Sequence, residues 1–289
     1  MQSLKKFYFG KSKVVFTPFV STWKTDNLSS GSSTATQVKL PLIYTGTYNF
    51  VVDWGDGTQN TITTWNQAAV THTYSVAGTY QITIKGICKG WRFNNTGDRS
   101  KILSVQQWGT SLKFGTTEGN YFLGCNNLNL SSVTDTPVLT GVLNMSNCFS
   151  ACSALTTINK IGEWACSNVT NMSYMFQLAT NFNQNIGSWN VSNVTSMSSM
   201  FQSATNFNQD IGSWNVSNVT NFSNFMFGKT PATFSTTNLD AIYNGWSTRP
   251  VKTPITISFG TAKYTAAGAA GRADRKSTRL NSSHLGISR

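Results

Sequence analysis

IGSWNVSNVT at Ile186–Thr195 recurs letter for letter at Ile211–Thr220, and ATNFNQ at Ala179–Gln184 recurs at Ala204–Gln209, both displaced by 25 residues. A degenerate copy, IGEWACSNVT, begins at Ile161. Working outward, FLGCNNL from Phe122, FSACSAL from Phe149 and FQLATNF from Phe176 align at a spacing of 27, and FQSATNF from Phe201 follows at 25. FSNFMFG then places Phe222, Phe225 and Met226 where Met197, Met200 and Phe201 stood, so about five units of 25–27 residues are readable.

A unit this short cannot bury its faces alone, so the units are expected to stack and turn equivalent residues into columns. Met172, Met197 and Phe222 form one column; Phe149, Phe176, Phe201 and Met226 a second; Leu155, Phe182 and Phe207 a third; Ile161, Ile186 and Ile211 a fourth; Trp164, Trp189 and Trp214 a fifth. Apolar spacings of three and four in N-V-T-S-M-S-S-M-F-Q-S-A suit a short helix, and F-N-Q-D-I suits a short strand, so each unit is expected to hold one of each. Asn168, Asn193 and Asn218 recur in register, as do Asn183 and Asn208, and read as architectural amides. The N-x-S/T triplets at Asn190 and Asn215 read as repeat chemistry, not glycosylation.

These residues carry a resemblance. S-W-N-V-S-N-V-T-x-M-S-x-M-F-x-x-A-x-x-F-N-Q-D-I is similar to the repeat of the BspA-like leucine-rich-repeat bacterial surface proteins, and F-S-A-C-S-A-L-T-T-I resembles its cysteine-bearing variant. The resemblance spans about residues 100–228 and implies a leucine-rich-repeat-like solenoid with a role in adhesion or binding at a cell or particle surface.

Upstream, YNFVVDWGDGT (Tyr48–Thr58) alternates and ends in a Gly-Asp-Gly turn, and HTYSVAGTYQITIKG (His72–Gly86) reads as a second hairpin-like segment. W-G-D-G-T followed by H-T-Y-x-x-x-G-T-Y resembles the PKD-like (polycystic-kidney-disease-type) immunoglobulin-like domain over about residues 18–90, which implies a small extracellular β-sandwich. The expected class is therefore mixed: an all-β immunoglobulin-like sandwich, then an α/β leucine-rich-repeat-like solenoid. The expected organisation is an N-terminal segment (1–17), the sandwich (18–90), a connector and solenoid cap (91–121), the repeats (122–228) and a truncated C-terminal cap (229–273). In that cap Leu239, Ile242, Tyr243 and Trp246 fall at helical spacing and ITISFGTAKY (Ile255–Tyr264) alternates like a strand. DRKSTRLNSSH from Asp274 resembles a translated sequencing adapter, so 274–289 reads as a non-native tail that displaces the natural C-terminus.

The 289 residues carry 22 Lys and Arg against 10 Asp and Glu, for a net charge of +12. That surplus lies at the ends, because residues 122–228 hold only Asp135, Lys160, Glu163 and Asp210. Lys85, Lys89, Arg92, Arg99 and Lys101 gather near the expected junction but accompany no nucleic-acid-binding motif, and read as a solvated rim. No apolar run is long enough to span a membrane and no export signal is visible. Five cysteines without CxxC pairs or nearby histidines read as buried free thiols.

Triad catalysis needs a histidine beside its nucleophile, and outside the tail the sequence offers only His72, in a strand. Asp135, Glu163 and Asp210 occupy non-equivalent repeat positions, which does not suit a carboxylate pair across a cleft. The reading is therefore a non-enzymatic protein. Asp53 and Asp56 flank the tight turn and are the candidate ligands for Ca²⁺, the one candidate cofactor, although the plainer reading has Asp56 bonding its own turn. An outward column of Trp164, Trp189 and Trp214 would be a stacking platform for sugar rings; core packing is the competing reading. The expected function is adhesion or binding of a protein or glycan at a cell surface or on a virion. A phage or virus tail-fibre component and a carbohydrate-binding appendage of a larger enzyme are the alternatives.

Overall fold

The computed structural model describes residues 15–250 and 257–278. Its regular structure is mostly antiparallel β-sheet, with two helices near the C-terminus. The strands are β1 (Phe19–Lys24), β2 (Gln37–Lys39), β3 (Leu42–Asp53), β4 (Gln59–Ile62), β5 (Thr71–Thr73), β6 (Thr79–Trp91), β7 (Ile102–Gln107) and β8 (Leu112–Lys113). One sheet runs β4-β3-β6-β1-β7, with β8 added parallel to β6, and β2 pairs antiparallel with β5. Alternation explains the long strands: in β3 Tyr48, Phe50 and Val52 are buried, and their partners in β6 include Cys88 and Ile84. Phe19, Trp23, Trp91 and Phe93 meet edge-on or tilted, at centroid separations of 5.4–6.2 Å, beneath the sheet.

The sheet passes directly into the repeats. Ser104 of β7 bridges Asn129, and Lys113 of β8 bridges Val138, both in parallel. Asp135 fastens the same junction: its Oδ1 accepts from Trp108 N at 2.7 Å and its Oδ2 from Gly109 N at 2.8 Å.

Within the repeats the expected strand and helix do not form, and the expected α/β leucine-rich-repeat solenoid is corrected accordingly. Between β8 and the first helix the described residues hold isolated parallel bridges, among them Asn144↔Asn171, Asn171↔Ser196 and Ser196↔Asn221, and two three-residue 3-10 turns. The hydrogen bonds give the reason. Met200, Gln202 and Ala204 donate back to the carbonyls of Met197, Ser199 and Phe201, closing successive tight turns. The residues between them, Ser199, Phe201 and Ser203, instead donate forward to Ser223, Phe225 and Phe227 of the next unit. A helix would spend all these N–H groups internally; here every second one joins neighbouring units.

The alternation requires two left-handed residues per unit. Asn120, Asn147, Tyr174, Ser199 and Asn224 form one such column, and Gly124, Ala151, Leu178, Ser203 and Gly228 the other. The apolar columns are in place. Phe122, Phe149, Phe176 and Phe201 stack face to face at 5.8 Å steps, and Phe182 lies 5.9 Å from Phe207. At the far end Phe225 turns edge-on to Phe201, so the parallel stack stops there.

The first helix, α1 (Thr236–Ser247), begins where Ser235 accepts from Asn238 N, and buries Leu239, Ile242 and Trp246, the spacing expected from sequence. Trp246 covers Phe222 and Phe225 at 5.5 and 6.0 Å. The described part of ITISFGTAKY is irregular, with Ile257 and Phe259 buried; Ile255 and Thr256 lie outside the described residues. The second helix, α2 (Ala266–Thr278), packs on α1 and runs into the segment read as non-native from Asp274. All five cysteines are free and buried, as expected.

Candidate functional site

The Gly-Asp-Gly turn is self-contained. Asp53 accepts from Gly55 N at 2.9 Å and from Gln59 Nε2 at 2.8 Å. Asp56 accepts from the Thr58 hydroxyl and amide through Oδ1 and lies 2.7 Å from His72 Nε2 through Oδ2. Partial burial works against ionisation of Asp56, but the bonds from Thr58 and His72 outweigh it and hold the carboxyl below its ordinary value. His72 is itself held between Trp54, stacked at 4.8 Å, and Tyr74, edge-on at 4.5 Å. Among the described residues no three His, Cys, Asp or Glu side chains converge as a metal site would require, so this donor set does not fit Ca²⁺.

The tryptophan column faces inward. Trp164, Trp189 and Trp214 are 3 %, 3 % and 1 % exposed, which removes them as a sugar-stacking platform. Two of their indole N–H groups tie successive units: Trp189 donates to Ile161 O at 2.7 Å and Trp214 to Ile186 O at 3.0 Å, and Trp246 of α1 continues the series to Ile211 O at 3.0 Å, whereas the Trp164 Nε1 is buried without a partner.

The solvent side is built from polar rows that the sequence showed only in part. Thr170, Thr195 and Thr220 each donate a hydroxyl to the preceding unit, at Leu143 O, Thr170 O and Thr195 O, over 3.1–3.2 Å. Ser188 and Ser213 do the same to Gly162 O and Gly187 O. Asn193 and Asn218 spend an Nδ2 hydrogen on Ser167 O and Ser192 O. A hydroxyl has one donor and two acceptor lone pairs, so a row whose hydrogens point into the stack retains acceptors. The rows are therefore acceptor-rich, held in orientation, and repeated once per unit.

Sequence reasoning missed a further row. Asn144, Asn171 and Asn221 accept from the amides of Ser146, Ser173 and Ser223, and Ser196 occupies the remaining place with its hydroxyl 2.7 Å from that of Ser173. The signal was the recurring N-M-S, S-M-S and N-F-S triplets at the same period.

The basic junction is also revised. Lys101 is not a solvated rim residue: it is fully buried, donates to Ser33 O, Ser33 Oγ, Thr34 O and Gln37 O at 2.8–3.0 Å, and lies 3.5 Å from Asp98. Its ammonium fastens the 33–37 loop to the turn before β7. Asp135, Glu163 and Asp210 play no joint part: Asp135 clamps the junction, Glu163 lies 4.0 Å from Lys160, and Asp210 accepts from Gly212 N.

A family described as "Mycoplasma protein of unknown function, DUF285" matches residues 119–265, which is half of the chain. The chain belongs to this family. The match begins at the first repeat and runs through α1, covering the whole series of stacked rings. It corrects the resemblances drawn from sequence: neither a BspA-like leucine-rich-repeat family nor a PKD-like domain is found, and the tandem units are those of the DUF285 family. No curated protein and no solved structure matches the chain. Among the described residues no helix is long and apolar enough to cross a membrane.

Proposed function

We propose that this DUF285 protein is a non-enzymatic binding protein, acting at a cell surface or on a particle, whose repeat units hold rows of hydrogen-bond acceptors against a donor-rich protein or glycan. One observation carries the reading: the Thr170–Thr195–Thr220 hydroxyls all donate to a carbonyl of the preceding unit, which commits their hydrogens and leaves a repeating line of acceptor lone pairs. Such a line costs little side-chain entropy on binding, because its rotamers are already set by the stack. Many weak contacts at a constant step add up only to a partner whose own donors repeat, as hydroxyls do along a glycan chain.

In this reading the N-terminal region is an all-β sandwich in which the β2–β5 pair lies over the larger sheet. The support is burial of Val38, Leu40, Val70 and Tyr74 together with Phe50, Val52 and Ile84 of that sheet. It serves as the base on which the first repeat is laid, through the β7 and β8 bridges.

The test is an array of neutral and acidic glycans probed with the full chain and with a triple variant, Thr170→Val, Thr195→Val and Thr220→Val. Valine keeps the shape and removes the acceptors. Binding by the native chain that collapses in the folded triple variant supports the reading; glycan binding unaffected by the substitutions, or none alongside no captured protein, overturns it.

A further inference from the structure

Within residues 122–228 the large apolar side chains exposed to water are Leu143, Tyr174, Leu178 and Phe227. Leu143 stands at the head of the threonine row, where its carbonyl accepts from Thr170. The other three lie on the ladder of tight turns and are 38 %, 47 % and 53 % exposed. Tyr174 and Leu178 are also left-handed, at φ +60° and +57°. The equivalents of Tyr174 are Asn120, Asn147, Ser199 and Asn224, and those of Leu178 are Gly124, Ala151, Ser203 and Gly228. A bulky side chain at positive φ is strained, and an exposed one recovers little of that strain by packing. The stack is served by the small residues of the other units, so its own stability gives no reason for Tyr174 and Leu178.

The three residues share one face. Tyr174 and Leu178 alternate with the buried Met172 and Phe176, which places both on the outer side of their unit. They donate their amides to Ser198 O and Gln202 O of the next unit at 2.8 and 3.0 Å, and Ser203 donates to Phe227 O of the unit after that at 3.0 Å. Tyr174 and Leu178 thus border a strip of smaller residues, Ser199, Gln202 and Ser203, and Phe227 borders it from the other side. Across this face Gln177 Nε2 donates to Gln202 Oε1 at 3.0 Å. A side-chain amide has two hydrogens and two lone pairs, so the pair keeps both donors and acceptors. No Asp, Glu, Lys or Arg occurs in any of the turns 120–124, 147–151, 174–178, 199–203 and 224–228.

We propose that this face binds a neutral glycan, its sugar rings laid against Tyr174, Leu178 and Phe227 and its hydroxyls bonded to the Gln177 and Gln202 amides. The complementarity is that of an uncharged surface: the chain carries +12 overall, yet no side chain of these turns would offset the charge of an acidic ligand. Exposed apolar side chains suit the C–H faces of sugar rings, and amides that donate and accept match hydroxyls that do the same. The face shares its ligand class with the function proposed above but none of the threonines that carry that reading.

The experiment titrates the full chain with cellohexaose, maltohexaose and hexa-N-acetylchitohexaose, and with hexagalacturonate as the acidic control, following saturation transfer to the sugar protons by NMR. At least one neutral hexamer is expected to bind and hexagalacturonate not. Tyr174→Ser, Leu178→Gly and Phe227→Gln each install the residue that a neighbouring unit carries at the same place, so the melting temperature should hold or rise. Each is expected to weaken binding about three- to tenfold, the loss of one stacking or apolar contact. The triple variant Thr170→Val, Thr195→Val and Thr220→Val separates this face from the threonine row. Binding kept there and weakened in the three single variants upholds this face alone; loss in both sets upholds both, and loss in the threonine variant alone overturns the proposal. Absence of transfer to all three neutral hexamers, or equal transfer to hexagalacturonate, also overturns it. So does sedimentation in which the native chain dimerises and the single variants do not, since the face would then belong to a second copy.

Discussion

In the N-terminal region β3 and β6 pair along a register from Leu42↔Trp91 to Asp53↔Thr83, and one strand's amides are satisfied by the strand beside it. In the repeats no comparable pair exists, yet Tyr174, Phe176 and Leu178 donate to Ser198, Met200 and Gln202 as regularly as β3 donates to β6. The first region builds its ladder from extended residues; the second builds it from tight turns that release every second N–H. What differs is the reach of each contact. A β3–β6 bond joins two strands of one sheet, whereas each repeat bond passes a unit on to the next, so the stack is held by nearest-neighbour interfaces.

The comparison breaks most readily at its aromatic column. Phe176 lies 5.8 Å from both Phe149 and Phe201, 4.1 Å from Phe182 and 6.3 Å from Trp189, so its ring belongs to three successive units. Phe176→Ala should cost about 3–5 kcal/mol and lower the urea midpoint of the repeats more than that of the N-terminal sheet. Hydrogen exchange resolved along the chain checks this. An equal loss of protection in β3 and β6 would mean that the two regions unfold as one and that the nearest-neighbour picture fails.

The next effect concerns the end of the stack. Lys229 stands in the column of Cys125, Cys152, Ala179 and Ala204, and its buried ammonium returns to the carbonyls of the turn before it. Burial lowers its pKa from 10.5 to about 8. Between those values the folded chain binds fewer protons than the unfolded one, so this group's contribution is fully present above about 10.5 and lost as pH falls through about 8. The stability of the native chain relative to Lys229→Met should therefore rise by the order of 3 kcal/mol from pH 7 to pH 10.5. Urea titrations of both proteins across that range decide it, and a flat difference would show that the three carbonyls offset the cost of burial.

Smaller again is the seam between the regions. Asp135→Ala leaves the amides of Trp108 and Gly109 without their acceptor, at a cost of about 1–3 kcal/mol. Exchange of the Gly109 amide should accelerate while the amides of the Phe201 turn keep their protection; loss of both would extend the seam's influence along the stack.

The period is legible in the sequence because identical blocks force identical environments: the columns Met172–Met197–Phe222 and Ile161–Ile186–Ile211 are all buried. The strands around Tyr48–Thr58 and His72–Gly86 were readable from alternation, although β6 runs on to Trp91 and β7 joins the same sheet. The conformation within a unit was not. Spacings of three and four suit a helix and a run of tight turns equally, and the residues that distinguish them, Tyr174, Leu178, Ser199 and Ser203, lack the glycine that usually marks a positive φ. Burial of Lys101 was equally hidden, since its acceptors come mostly from backbone groups more than sixty residues away. The outward acceptor rows were half legible: period marks which residues recur, but only geometry shows which way each hydroxyl donates.

The smallest effect tests the turns themselves. Leu178 is left-handed at φ +57° and 47 % exposed, so its side chain gains little from packing while its Cβ crowds the backbone. Its equivalents in the outermost units are Gly124 at φ +80° and Gly228 at φ +93°. Leu178→Gly should relieve the strain at the price of some unfolded-state entropy, for a net stabilisation of up to about 1 kcal/mol. The same change at Phe182, whose backbone is not left-handed and whose ring stacks on Phe176 and Phe207, should destabilise the chain strongly. Opposite signs at two positions four residues apart would establish that the units run on alternating turns; destabilisation at both would mean that the exposed Leu178 side chain contributes contacts worth more than the strain it imposes.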